Sequence, residues 1–181
     1  VCSAMSRVIV HESRAAELLE RAGQIATSLS VGPGIERPDV GPAMGAMVSD
    51  AQRDRAARMI ETAQAQGARV VTGGRPLNRP GAFLEPTVLA DVTPGMEIAQ
   101  QEVFGPVLSV LSFRDEDEAI AIANGTDYGL VAGVFTADLD RATRAARATR
   151  WCSAIGRSVG PPWRSWPSAA RPCSRPWCPW G

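Results

Sequence analysis

The feature that most constrains this chain is the order of patterns between Leu108 and Arg150. A mostly apolar run, Val107–Phe113 (VLSVLSF), reads as a strand. Asp115 and Glu118 follow at the spacing of a capping box, with Asp in place of Ser or Thr, and open a helix through Ala123 that Gly125 ends. A second strand lies within Tyr128–Thr136 (LVAGVF), and Asp138 caps a last helix running to about Arg150. Arginines in its final turn suit the negative end of the helix dipole. Strands alternating with helices across short links cannot pair as hairpins. They predict an α/β fold, a mostly parallel sheet covered by helices.

The upstream residues extend the same reading. Arg7–His11 (RVIVH) is a short β-branched strand, and Ser13 is a reasonable N-cap for a helix over Arg14–Ser28. Leu18, Leu19, Ala22, Ile25, Ala26 and Leu29 form its apolar face. Val31–Met47, rich in Gly and Pro, is a long connection. Ser49 or Asp50 caps a second helix to about Gln66, with Ala56, Met59, Ile60 and Ala63 as the buried stripe. Gly67 stands just past its end, where a positive φ is cheap for glycine. Ala68–Thr72 is a strand closed by Gly73-Gly74, Asn78–Gly81 a turn, and Phe83–Leu89 an extended segment broken by Pro86. Pro94–Gln101 is a turn followed by a short helical piece.

Two stretches carry residues suited to chemistry. Cys2 precedes or opens a helix-like segment, where free N–H groups favour a thiolate; it also fits a small buried apolar residue. Its own N–H could help hold an oxyanion. In Gln101–Phe113 (QEVFGPVLSVLSF), Glu102 and Phe104 stand before a Gly-Pro turn and a strand. Taken singly, Glu102 reads as a solvated turn carboxylate and Phe104 as a core ring. Gly105 permits the turn and Pro106 sets the entry to the strand. His11, the only histidine, reads as a surface or capping residue, so no Cys-His pair is proposed. Asn124-Gly-Thr126 matches a glycosylation sequon by chance at a helix end. Gly32-Pro-Gly34 has Arg37 where a dinucleotide fingerprint needs its third glycine. Cys152, Cys173 and Cys178 lack paired C-x-x-C spacing and any nearby histidine, so no metal site is expected.

Together, Cys2 with the Ser6-Arg7 pair that follows after three intervening residues, and the string Glu102-Val103-Phe104-Gly105-Pro106, resemble the aldehyde dehydrogenase family. The likeness runs over roughly Val1–Arg150. It implies the truncated catalytic domain of that family, a Rossmann-like mostly parallel sheet covered by helices. It also implies NAD or NADP as cofactor, a small-molecule aldehyde as substrate, and a homo-dimer or homo-tetramer. Cys2 would be the nucleophile that forms a thiohemiacetal and then a thioester. Glu102 would hold hydroxyls of the ribose next to nicotinamide, since a carboxylate accepts two adjacent hydrogen bonds, and Phe104 would pack near that ring. The family's nucleotide-binding domain, oxyanion asparagine and general-base glutamate precede the cysteine and are not in these residues. The 181 residues by themselves are therefore expected to be inactive, and residues 1–150 to be a catalytic-domain fragment. The different-class alternative is a non-catalytic α/β module for binding or assembly.

Composition sets the outer limits. Asp plus Glu equal Lys plus Arg at 19 each, a formal charge of zero, which gives no case for a nucleic-acid or anionic-membrane partner. No apolar run approaches the ~20 residues of a membrane helix, and no export signal is visible, so a cytoplasmic location is expected. The basic residues are all arginine, as GC-rich codons would favour. Trp151–Gly181 differs sharply: it holds all five tryptophans, three of four cysteines and no acidic residue. The family's Pro-x-Gly-Gly continuation is not seen there. Residues 151–181 are expected to be an atypical, largely disordered tail, read out of frame or otherwise unrelated to the family's end.

Overall fold

The structure, a computed structural model, describes residues 5–33, 43–149 and 152–156. The chain divides into two compact units, Ala4–Thr126 and Asp127–Gly181, the latter grouped with Val1–Ser3. In the first unit the order is β1 (Arg7–His11), α1 (Glu12–Ser28), β2 (Ser30–Val31), β3 (Ala43–Met44), α2 (Asp50–Ala65), β4 (Arg69–Thr72), β5 (Thr87–Ala90), α3 (Glu97–Gln100), β6 (Val107–Phe113) and α4 (Glu116–Asn124). Its main sheet has the order β1-β6-β5-β4. β1 and β5 both run parallel to β6, while β4 is antiparallel at the edge. The small β2-β3 pair lies within the stretch expected to be a connection.

β6 is central and its side chains divide between two layers, as the period of two requires. Val107 and Leu111 face a core shared with Ile60 of α2, Ile98 of α3 and Ile122 of α4. Leu108 and Val110 face the opposite side, where α1 packs with Leu18, Leu19, Ala22 and Ala26. Strands covered on both faces read as nearly continuous apolar runs, which is why VLSVLSF was legible. Ile60, Leu89 and Leu111 are at most 1% exposed, so truncating any of them opens a cavity.

Two expectations are corrected and a third is met. First, α1 begins at Glu12, and its N-cap is His11: Nδ1 accepts from the Ser13 N–H at 3.2 Å. Nε2 lies 3.0 Å from the Arg114 carbonyl, and the ring meets Phe113 edge-on at 5.4 Å. An imidazole fixed on both sides by β6 can cap where a free serine was expected. Second, Ile25 is 63% exposed and Gly23 is buried in its stead. At 100° per residue Ile25 lies about 90° from the centre of the face formed by Leu18, Ala22, Ala26, Leu19 and Gly23. A Cβ on Gly23 would stand 3.3 Å from Val71 Cγ1, so the missing side chain lets α1 roll toward β4. Third, the break expected at Pro86 is present: β5 starts at Thr87, since Pro86 lacks the N–H a ladder needs, and Leu84 bridges to Pro76.

The other caps fall where the chemistry placed them. Ser49 accepts from Gln52 N–H, Asp115 from Glu118 N–H and Asp138 from Arg141 N–H. The capping box at α4 is only half made. The Glu118 carboxylate reaches the Arg114 N–H at 2.9 Å and its guanidinium at 3.2 Å, not the backbone of Asp115. Gly67 follows α2 with φ +107°.

In the second unit, β7 (Val131–Phe135), α5 (Leu139–Ala148) and β8 (Cys152–Gly156) form a βαβ element with β7 and β8 parallel. Regular backbone thus continues six residues past the boundary expected at Arg150. Residues 157–181, the rest of the expected tail, lie outside the described residues.

Candidate functional site

The Gln101–Pro106 segment is a tight turn between α3 and β6. Gln101 N–H closes on Glu97 O at 2.8 Å, ending a helix of only four residues. Gly105 N–H then bonds Val103 O at 2.8 Å, and Val107 N–H bonds Gly105 O at 2.9 Å. Two such three-residue turns in succession reverse side-chain direction abruptly. Val103 is driven into the core at 6% exposure, and Phe104 is turned outward at 61%. The core reading of the phenylalanine is thereby replaced: the neighbouring valine fills that place. Pro106 O accepts from Thr87 N–H at 2.8 Å, which fastens the turn to β5.

Glu102 is half-buried, and its carboxylate makes no hydrogen bond or ion pair among the described residues. Both oxygens can therefore accept from hydroxyls of a ligand. Phe104 and Val103 lie together with Gln52, Arg55, Ala56 and Met59 of α2 around a shallow surface dip. A Cβ on Gly105 would lie 3.0 Å from the flexible end of Met47 and 3.5 Å from Ala56, so glycine lets the turn press close to α2. Sequence reasoning missed Gln52 and Arg55. They are three apart on one face of α2, but no local pattern distinguishes them from ordinary polar surface.

β1 and β6 are parallel neighbours, so their amino ends share one edge of the sheet. The turn enters β6 there, and Met5–Ser6 enter β1 there. Ser109 N–H bonds Ser6 O at 2.9 Å across this edge. Ligands of doubly wound sheets usually lie beyond the carboxyl ends; here the candidate residues stand at amino ends. Arg7 is half-buried and donates from Nη1 to Ala99 O at 3.2 Å, bridging β1 to α3. Burial pulls its guanidinium pKa below the ordinary arginine value. Cys2 lies outside the described residues. The structure therefore brings together Glu102, Phe104 and the strand that follows Cys2, through contacts more than 90 residues apart in sequence.

A profile of the aldehyde dehydrogenase family matches residues 1–155. A betaine aldehyde dehydrogenase of Cereibacter sphaeroides is 47% identical over 144 residues, 80% of this chain and 29% of that protein. The chloroplastic betaine aldehyde dehydrogenase of Atriplex hortensis is 38% identical over 183 aligned positions, which cover all of this chain and 34% of that protein. Among solved structures, betaine aldehyde dehydrogenase from Staphylococcus aureus in complex with NAD+ superposes with a TM-score of 0.79. It is 33% identical over 90% of this chain and 32% of that one. The NAD+ complex of aldehyde dehydrogenase from Bacillus cereus gives the same TM-score at 34% identity, over 87% and 31%. The chain spans about a third of the length of the relatives it matches. None of the helices among the described residues is long and apolar enough to cross a membrane. With this fold, this turn and a match over most of its length, the chain belongs to the aldehyde dehydrogenase family.

Proposed function

We propose that this chain is part of the catalytic domain of an enzyme that oxidises an aldehyde to a carboxylic acid with NAD or NADP, and that Cys2, Glu102 and Phe104 are its site residues. The names of the betaine aldehyde dehydrogenases it resembles make a betaine aldehyde the substrate class of choice. The observation that carries the reading is the Glu102–Phe104 turn. It offers a carboxylate with unused acceptors and an outward aromatic ring at the sheet edge where the strand after Cys2 begins.

The Cys2 thiolate adds to the carbonyl carbon of the aldehyde, forming a C–S bond and an alkoxide that the Cys2 N–H helps hold. What a bound nicotinamide supplies is an acceptor for hydride. Loss of hydride from the thiohemiacetal carbon leaves a thioester on Cys2. Water then cleaves the C–S bond, releasing the acid and returning the thiolate. Glu102 would hold both ribose hydroxyls of the nucleotide, and Phe104 would pack near its nicotinamide ring. These roles fall within residues 1–150; the tail from Trp151 is assigned none. The general base that activates the water is not among these 181 residues. As a polypeptide by themselves they bind and react with thiol reagents but do not turn over.

Peptide-resolved alkylation with iodoacetamide tests the reading. Cys2 is expected to react about tenfold faster near neutral pH than Cys152, Cys173 or Cys178, as an activated thiol does. Nicotinamide mononucleotide should slow Cys2 alone, and Glu102→Gln should remove that effect. Equal reactivity of all four cysteines, unmoved by the nucleotide, would refute the assignment.

A further inference from the structure

At Arg7 a side chain crosses from the strand that follows Cys2 to the helix that precedes Glu102. α3 is four residues long, with no side-chain bond from its N-cap residue, and is placed by neighbours: Glu97 N–H donates to Gln66 Oε1 at 3.2 Å, and Ile98 and Ala99 are buried. Its last carbonyls lack helical partners, as at any helix end, and Ala99 O takes the Arg7 Nη1–H at 3.2 Å. Ala99 is three residues before Glu102. The bond joins positions 92 apart in sequence, and it is part-buried, where water screens a charge less than at the surface. A charged donor held inside the fold reaches a backbone carbonyl at the base of the turn. From the other side, Ser109 N–H holds Ser6 O at 2.9 Å, so the strand bearing Arg7 is itself fixed to β6. Thr87 N–H on Pro106 O closes the far end of the turn. Gln100 Nε2 also donates to Pro94 O at 2.6 Å and to Gly125 O at 2.9 Å, so the segment before Glu102 has several anchors, and Arg7 is the one that reaches it from β1.

We propose that Arg7 is a positioning residue for the ribose-holding turn: its bond to Ala99 O sets where Glu102 stands relative to the strand that leaves Cys2. This rests on the reading of Glu102 given above. The bond needs a donor at the end of the side chain, not merely the aliphatic stem. Methionine keeps similar length and packing without a donor; lysine keeps a donor but not the planar fork.

The test uses the full 181-residue chain and nicotinamide mononucleotide, at a concentration that slows wild-type Cys2 alkylation about fivefold. Arg7→Met is expected to weaken the nucleotide about tenfold, the scale of one charged hydrogen bond, so protection falls to about 1.4-fold. Arg7→Lys should keep protection at or above about threefold, because one N–H still reaches the carbonyl. Thermal melts of both variants establish that they fold; should the methionine variant not fold, the lysine variant decides. A packing role for the stem would leave Arg7→Met as well protected as wild type, and that result overturns the proposal. So does an Arg7→Lys variant no better than Arg7→Met. Absence of protection in the wild type refutes the ribose site itself, and the role of Arg7 falls with it. Protection that is lost in Glu102→Gln but survives Arg7→Met overturns Arg7 alone.

Discussion

Two glycines with positive φ separate backbone strain from steric overlap. Gly67 (φ +107°) and Gly73 (φ +73°) both end regular elements, α2 and β4. Alanine at either costs about 1–2 kcal/mol from the left-handed backbone alone. Around Gly67 a new Cβ meets nothing within 4 Å, so the substitution ends there. At Gly73 the same atom would stand 2.2 Å from Pro86 O and 2.9 Å from both Pro86 C and Thr87 Oγ1. Carbon and oxygen prefer more than about 3 Å, so the backbone entering β5 must move by about 1 Å. That backbone is not free. Thr87 N–H bonds Pro106 O, and Thr87 Oγ1 accepts from Gly74 N–H at 2.9 Å. Displacement therefore strains both the edge pairing and the functional turn. Gly73→Ala should lose at least about 3 kcal/mol, against about 1–2 for Gly67→Ala. Urea unfolding with a common m-value reads both. Equal losses at the two sites would show that Pro86 does not occupy the place assigned to it, and the close approach of β4 to β5 would have to be abandoned.

Other outcomes follow from the same contacts. His11→Ala should destabilise by about 1–2 kcal/mol through the lost cap of α1, while His11→Asn, which can still accept from Ser13 N–H, should recover most of it; equal melts for the two would remove His11 from the cap. Leu111→Ala should lose about 2–5 kcal/mol in chemical denaturation and Ile25→Ala under about 0.5, since one is buried and the other exposed; a reversed order would refute the roll of α1. The Arg114 guanidinium, and next its backbone N–H, hold the Glu118 carboxyl below the usual range, and the Arg141 N–H foremost does so for Asp138. Depressed carboxyl values mean stability that is fully present above the unfolded values, about 4, and lost as pH falls through the folded ones. The melting-temperature gap between wild type and Glu118→Gln should therefore be largest near pH 6 and narrow as pH falls below about 4; a gap that does not narrow in acid would exclude the ion-paired cap.

Some of this protein was determined by short stretches read alone. The limits of β1 and β6, the caps at Ser49, Asp115 and Asp138 and the turn at Gly67 depend on neighbours within four residues, and that chemistry is written locally. The Glu-Val-Phe-Gly-Pro string marked the candidate turn for the same reason. Only the tertiary structure decided the order β1-β6-β5-β4, the antiparallel edge at β4, and the direction of each side chain in the turn. Val103 went inward and Phe104 outward because two tight turns and the press of α2 left room for one of them. His11 displaced Ser13 as the cap because Phe113 and Arg114, a hundred residues away, hold its ring. Arg7 reached Ala99 because parallel pairing put two amino ends on one edge. Pairings across such distances depend on how whole strands bury their faces together, and no window of sequence contains both partners.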